Sequence, residues 1–83
     1  MQKIYPISSD VFLNHFEEFF EKYKDYNYSL EEKVINTFYD AAETIDEEYP
    51  DLREKEQNDD ERWYDAYFDE VCEKYMEMAR TLI

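Results

Sequence analysis

Apolar residues recur along this chain at the spacing of an α-helix. In the first segment the gaps are four, three, four and three residues, at Phe12, Phe16, Phe19, Tyr23 and Tyr26. Residues three or four positions apart share one face of a helix. Ser9 or Asp10 can accept a hydrogen bond from the first free backbone amides. The pattern therefore predicts a first helix over residues 9–26.

A second helical segment begins with a recognisable cap. Ser29 and Glu32 form a capping box, in which each side chain can satisfy a free backbone amide at the start of a helix. Tyr49 and Pro50 mark the end of the regular pattern. The sequence predicts a helix over residues 29–48, and its buried face consists of Leu30, Val34, Phe38, Ala41 and Ile45.

The third segment is the longest of the three. Asn58 or Asp59 can cap its first turn, and its apolar residues keep helical spacing along the whole segment. The sequence predicts a helix over residues 59–82. Its buried face consists of Tyr64, Phe68, Val71, Tyr75, Met78 and Leu82, widened by Trp63, Tyr67 and Ala79.

The remaining residues are predicted to be an arm and a connection. Residues 1–8 form an N-terminal arm that contacts the helices through Ile4, Tyr5 and Ile7, and residues 9–83 form a single domain. Residues 51–60 contain Leu52 as their only strongly apolar residue, so they are predicted to hold one helical turn and no core residue. Because each amphipathic helix needs the other two for burial, the predicted fold is all-α, a small antiparallel three-helix bundle.

The net charge limits the classes of function. The 83 residues include 9 Lys and Arg against 23 Asp and Glu, which gives 9 − 23 = −14. We expect no direct binding to nucleic acid, because phosphate contacts need clustered cations. No apolar run approaches the roughly 20 residues that cross a bilayer, and anionic lipid repels an acidic surface. With a single cysteine and no signal-peptide pattern, a cytoplasmic location is expected.

The carboxylates are arranged in rows along the predicted helices. Members of a row are four residues apart: Glu17, Glu21 and Asp25, then Glu43 and Glu47, then Glu61, Asp65, Asp69, Glu73 and Glu77. Each neighbouring pair of like charges costs roughly 0.2–0.5 kcal/mol in an isolated helix, before screening by salt. This surface is therefore not arranged for helix stability, which favours a role in binding.

Rows of carboxylates on a rigid helix resemble the phosphates of a nucleic acid. Side chains four apart have Cβ atoms about 5–6 Å from one another, comparable to successive phosphates along a strand. We therefore interpret the rows as a nucleic-acid mimic that occupies the basic groove of a DNA- or RNA-binding protein. The expected partner-binding residues are Glu17, Glu21, Asp25, Asp40, Glu43, Glu47, Asp65, Asp69, Glu73 and Glu77, with Trp63 and Tyr67 packing between the partner's cations.

Small acidic proteins of this kind include phage-encoded inhibitors of CRISPR and restriction systems, and by analogy we expect an anti-defence protein of that class. One alternative is an immunity protein or antitoxin for a basic nuclease toxin. Another is a structural module in which the apolar faces continue across a homodimer. A simpler interpretation also stands, because acidic faces keep many ordinary proteins soluble.

Nine tyrosines are a second feature. Tyr28, Tyr39 and Tyr67 are hard to bury together with their neighbours, and an exposed tyrosine is typical of a protein interface. The alternative is that wide apolar faces bury most of the rings and leave the hydroxyls at the solvent edge.

Metal binding and catalysis find no pattern in the sequence. Asp25, Asn27 and Ser29 imitate a calcium loop, but Leu30 stands where glycine is needed and Asn36 where the bidentate glutamate belongs. One histidine, His15, has no second histidine to complete a metal site. Without glycine there is no nucleophile elbow, phosphate loop or backbone oxyanion site. We therefore expect no metal, no cofactor and no enzymatic activity.

Overall fold

The computed structural model describes residues 7–55 and 62–82, and every regular element in these ranges is helical. The four α-helices are α1 (Asp10–Asn14), α2 (Phe16–Tyr23), α3 (Leu30–Glu48) and α4 (Phe68–Leu82). Two 3-10 helices, Pro50–Lys55 and Trp63–Tyr67, lie between α3 and α4. The all-α class is confirmed, whereas the antiparallel three-helix arrangement stays a prediction.

The predicted first helix is divided and shorter than expected. It breaks at His15, whose backbone N–H donates to the Phe12 carbonyl three residues earlier, at 3.1 Å. The same carbonyl accepts the hydroxyl of Tyr75 from α4, at 2.5 Å. α2 ends at Tyr23, so Tyr26 is 46% exposed and does not join the buried face. Phe20 is buried on α2, and Phe19, which was assigned to the buried face, is half-buried.

The second predicted helix is confirmed as α3. Ser29 is the residue before its first turn, and the Ser29 hydroxyl accepts the backbone N–H of Glu32 at 3.2 Å. Most of the predicted face is buried, at Val34, Phe38, Ala41 and Ile45, while Leu30 is half-buried. Thr37 is buried among them, and its hydroxyl donates to the Lys33 carbonyl at 2.7 Å, so no polar group is left unsatisfied there.

The third predicted helix starts differently from the expectation. Its proposed caps, Asn58 and Asp59, lie outside the described residues. The segment instead opens with the 3-10 helix Trp63–Tyr67, and the Asp65 carboxylate accepts the backbone N–H of Arg62 at 2.9 Å. Burial then recurs every four residues, at Trp63, Tyr67, Val71, Tyr75 and Ala79. Tyr64, Phe68 and Met78, which were assigned to the buried face, are only half-buried, and Leu82 is exposed.

Leu52 corrects the prediction for the connection. The expected turn after Pro50 is present as a 3-10 helix, but Leu52 is only 6% exposed and belongs to the core. The Leu52 N–H donates to the Tyr49 carbonyl at 3.0 Å. This turn packs against α3 and against the 3-10 helix Trp63–Tyr67, and so covers one end of the core.

The core is centred on an aromatic cluster around Phe12. The ring of Phe12 stacks on Phe38 with centroids 5.3 Å apart, and it also meets Trp63 at 5.8 Å and Tyr67 at 5.0 Å. The Tyr67 hydroxyl donates to the Ile7 carbonyl at 2.6 Å and accepts the Ile7 N–H at 3.0 Å. Ile7 thus contacts the helices as expected for the arm, whereas Ile4 and Tyr5 lie outside the described residues.

Candidate functional site

Apolar side chains line the junction between α3 and the last third of the chain; one of them, Tyr39, is exposed and the others are half-buried. The residues are Ile35 and Tyr39 on α3, and Tyr64, Phe68, Cys72 and Met76 on the 3-10 helix and α4. We call this surface the seam. The Tyr39 ring lies 6.2 Å from the ring of Tyr64 and 6.0 Å from that of Phe68. The seam therefore joins the two segments and keeps part of its apolar area in contact with solvent.

One end of the seam opens into a groove of about 290 Å³. The residues that line the groove are Glu31, Val34, Ile35, Phe68, Asp69, Cys72, Glu73 and Met76. Glu31, Asp69 and Glu73 are exposed, so the groove combines apolar walls with a rim of three carboxylates.

Two of the predicted carboxylate rows lie beside the seam. Asp69, Glu73 and Glu77 are exposed on α4, and Glu43 and Glu47 are exposed on α3. Asp65 is also exposed, but its carboxylate caps the 3-10 helix that starts the segment. Glu61, at the start of the third row, lies outside the described residues.

The pKa of Tyr64, a residue of the seam, is affected by nearby carboxylates. Burial raises the pKa of Tyr64, and the carboxylates of Asp65 and Glu43 add to the rise. A phenol is harder to deprotonate when its anion is desolvated or faces like charge. Glu43 of α3 and Asp65 of the last segment therefore act on the same point of the seam.

The remaining predicted carboxylates belong to a different part of the surface. Glu17, Glu21 and Asp25 are exposed on α2 and just beyond its end, and Glu21 pairs with Lys24 at 3.7 Å. Asp40 accepts the hydroxyl of Tyr23 at 2.5 Å and lies 3.5 Å from the Lys22 ammonium. Because Asp40 is engaged by α2, it does not join Glu43 and Glu47 as an outward carboxylate.

The hydrogen bond between Tyr23 and Asp40 predicts a pH-dependent stability. The bond raises the pKa of Tyr23 from 10.0 to about 12, with burial and the Asp40 charge adding to it. The folded state then holds the phenol proton to higher pH than the unfolded state. This contribution is complete below about pH 10 and is lost as the pH rises towards about 12. We expect Tyr23→Phe to lower the free energy of unfolding by about 1–2 kcal/mol at pH 8.

The measurement is urea unfolding of both proteins between about pH 8 and pH 11. The wild type should lose stability more steeply than Tyr23→Phe above pH 10. Tyr28→Phe is the matched control, because Tyr28 is exposed and its ring lies 5.3 Å from that of Tyr26. Equal effects of the two substitutions would show that the bond to Asp40 contributes nothing.

The two aromatic residues expected to contact the partner are buried, which corrects that prediction. Trp63 is 2% exposed and Tyr67 is 1% exposed. The Trp63 indole N–H donates to the Asp46 carboxylate at 3.0 Å, and the Tyr67 hydroxyl is bonded to Ile7. Both rings pack on Phe12. They therefore contribute their aromatic area to the core and are not exposed to a partner.

Other tyrosines are exposed. Tyr28 and Tyr39 are more than 40% exposed, as their positions outside the apolar faces predicted, and so are Tyr26 and Tyr49. Tyr39 lies in the seam. The ring centroid of Tyr26 lies 5.3 Å from those of Tyr23 and Tyr28, and the three rings form an aromatic cluster at the end of α2.

The groove was missed from the sequence. Ile35, Cys72 and Met76 all fell outside the assigned faces. The signal that could have revealed it is the same on α3 and on α4: an apolar residue lies just outside the buried face and beside carboxylates. That signal becomes a groove only when α3 and α4 pack together, which the sequence pattern does not specify.

Cys72 is a neutral part of the groove wall. Burial raises the pKa of its thiol to about 11, and the charge of Asp69 adds to the rise. The thiol therefore stays protonated at neutral pH, which makes it a weak nucleophile.

Other kinds of site have little support in the described residues. Within residues 7–55 and 62–82, no group of three or more His, Cys, Asp or Glu side chains is placed to hold a metal ion. His15 is half-buried with its ring 5.8 Å from that of Phe19. None of the helices in the same ranges combines the length and apolarity needed to cross a membrane.

Comparison with known protein families, curated proteins and solved structures finds no match to the chain. A function for this protein therefore has to be argued from its own surface.

Proposed function

We propose that this protein is a small acidic inhibitor that binds the basic nucleic-acid-binding surface of a target protein and excludes its DNA or RNA. The observation that carries the proposal is the pair of exposed carboxylate rows beside the seam. Ion pairs between described residues lie mostly elsewhere: Lys22 with Asp40, Lys24 with Glu21, and Lys74 with Glu70. In none of these three pairs does a lysine neutralise Asp69, Glu73 or Glu77.

The physical basis is electrostatic steering followed by direct pairing. A net charge of −14 attracts a basic surface over distances of about a Debye length, roughly 10 Å at 0.1 M salt. At contact, carboxylates held four residues apart on one helix can pair with lysines and arginines that otherwise bind successive phosphates. Because the row is carried on a folded helix, its backbone does not have to become ordered on binding.

Within this class we assign the protein to the phage-encoded inhibitors of CRISPR or restriction systems, acting in the cytoplasm of the host cell. The proposal retains the antiparallel three-helix bundle, because each amphipathic segment needs the other two to bury its apolar face. An immunity protein for a basic nuclease toxin would use the same rows. The identity of the target separates the two roles. A nuclease toxin as the target would indicate an immunity protein, whereas a CRISPR or restriction protein would indicate an anti-defence inhibitor.

The proposal predicts competition between this protein and nucleic acid. The tagged full-length protein is used to capture partners from a lysate of the cell in which it acts, and bound proteins are eluted with double-stranded DNA or with salt. We expect a basic nucleic-acid-binding protein that both eluents release. A mobility-shift assay with the purified target should show that added inhibitor frees the nucleic acid, and that more nucleic acid restores the complex.

The control is a variant with the same loss of charge at scattered exposed positions, Glu18→Gln, Glu48→Gln and Asp51→Asn. It should compete almost as well as the wild type, whereas Asp69→Asn, Glu73→Gln and Glu77→Gln together should compete poorly. A target that binds nucleic acid and this protein at the same time would overturn the proposal. Recovery of the protein itself alone would instead support the homo-oligomeric module.

A further inference from the structure

We propose that the groove at the end of the seam is the docking site for a segment of the partner protein that carries an apolar side chain flanked by lysines or arginines. The apolar side chain enters the groove while the flanking cations contact its rim. This inference rests on the proposed function, because it names the part of the target that the acidic surface receives. It adds an apolar anchor to an interface otherwise argued from charge.

The walls of the groove set the chemistry of its occupant. Val34 and Ile35 come from α3, and Phe68 and Met76 come from α4. A volume of about 290 Å³ lies just below the roughly 300–1,000 Å³ typical of small-molecule sites. It suits a leucine, methionine or phenylalanine side chain better than a cofactor. The protonated thiol of Cys72 adds no charge to the wall.

The rim sets the charge of the occupant. Glu31 stands on α3, while Asp69 and Glu73 stand one helical turn apart on α4. Because the carboxylates come from both helices that form the groove, they favour a partner with cations on both sides of the inserted side chain. A second copy of this chain would bring another charge of −14 against the rim. A nucleic acid would bring phosphates, so a basic protein segment is the occupant that the charges favour.

Insertion of an apolar side chain gives the interface a component that salt does not screen. Charge pairs at an exposed rim weaken as salt is added, whereas burial of apolar area does not. Binding of a basic segment with a large apolar residue should therefore persist at a salt concentration that releases a purely basic segment. This difference separates the groove from the carboxylate rows alone.

The test uses two synthetic helical peptides as probes. One contains only leucine and lysine in an amphipathic pattern, and the other has alanine in place of every leucine, so the two peptides have equal charge. We expect the full-length protein to bind the leucine peptide about tenfold more tightly at moderate salt, as measured by fluorescence anisotropy. Amide chemical shifts in NMR spectra should change most at Ile35, Phe68, Cys72 and Met76.

A pair of methionines on α4 gives a matched control. Met76 lines the groove, whereas Met78 is also half-buried but is not one of the residues that line it. Met76→Ala should reduce the preference for leucine to about twofold, and Met78→Ala should leave it near tenfold. Urea unfolding establishes that both variants are folded. No preference in the wild type, or equal losses in the two variants, would overturn the groove proposal.

Failure of the groove and failure of the proposed function give different results. If Met76→Ala and Met78→Ala bind the captured target equally while neutralising Asp69, Glu73 and Glu77 abolishes competition with DNA, the groove proposal is wrong and the inhibitor proposal stands. If Met76→Ala weakens target binding while neutralising any carboxylate row leaves target binding unchanged, the nucleic-acid-mimic proposal is wrong and the groove is an apolar docking site.

Discussion

Phe12→Ala is expected to lower the free energy of unfolding by about 3–5 kcal/mol. Phe12 is fully buried, and its ring contacts the rings of Phe38, Trp63 and Tyr67. Truncation removes the apolar burial of one ring and leaves a cavity between segments far apart in the sequence. A domain of this size has a total stability of roughly 4–12 kcal/mol, so much of the protein should be unfolded under mild denaturant.

The measurement is the urea midpoint followed by circular dichroism, with Phe19→Ala as the matched control. Phe19 is half-buried on α2, and its ring lies 5.8 Å from that of His15. Phe19→Ala should lower the free energy of unfolding by about 1–3 kcal/mol, clearly less than Phe12→Ala. Phe12→Leu should fall between the wild type and Phe12→Ala. If Phe12→Ala were no more harmful than Phe19→Ala, the aromatic cluster would not be the centre of the core.

Local signals made α3 the most predictable part of the fold. The cap at Ser29 and the apolar spacing from Val34 to Ile45 act within one helix, and the structure retains both. At the break at His15 a distant group is involved, because the Phe12 carbonyl accepts the hydroxyl of Tyr75 as well as the His15 amide. No spacing rule within residues 9–26 contains that information.

Burial of the third segment was less predictable for a related reason. Its apolar residues cover more than half of a helix, so several buried faces fit the same sequence. The structure buries the face with Trp63 and Tyr67, because these rings reach Phe12 and their polar atoms find partners in Asp46 and Ile7. Leu52 is buried for the same kind of reason, since a short turn returns it to the core.

The candidate site was predictable in its rows but not in its assembly. Positions four apart lie on one side of any helix, so the alignment of Asp69, Glu73 and Glu77 follows once α4 forms. Which rows share a surface depends on how the helices pack. Asp40 illustrates this, because α2 supplies Tyr23 and Lys22 to its carboxylate. The groove has the same origin, since neither α3 nor α4 encloses it alone.

Reversal of one charge in the middle of the α4 row should have opposite effects on folding and on binding. Glu73 lies four residues from both Asp69 and Glu77, so Glu73→Lys turns two like-charge pairs into two opposite-charge pairs. Each of the two pairs loses a repulsion of roughly 0.2–0.5 kcal/mol and gains an attraction of similar size. The free energy of unfolding should therefore rise by about 1–2 kcal/mol at low salt. Affinity for the nucleic-acid-binding target should fall about 10- to 100-fold, because a cation then faces the target's own cations.

Glu21→Lys is a reversal of equal charge on the α2 row, where Glu21 lies four residues from Glu17 and pairs with Lys24. Either variant changes the net charge from −14 to −14 + 2 = −12, so a loss of affinity confined to Glu73→Lys identifies the α4 row as the interface. Equal losses would mean that only total charge matters. Unchanged affinity in both would mean that the carboxylates serve solubility. High salt should abolish the gain in stability, since screening removes both the repulsion and the new attraction.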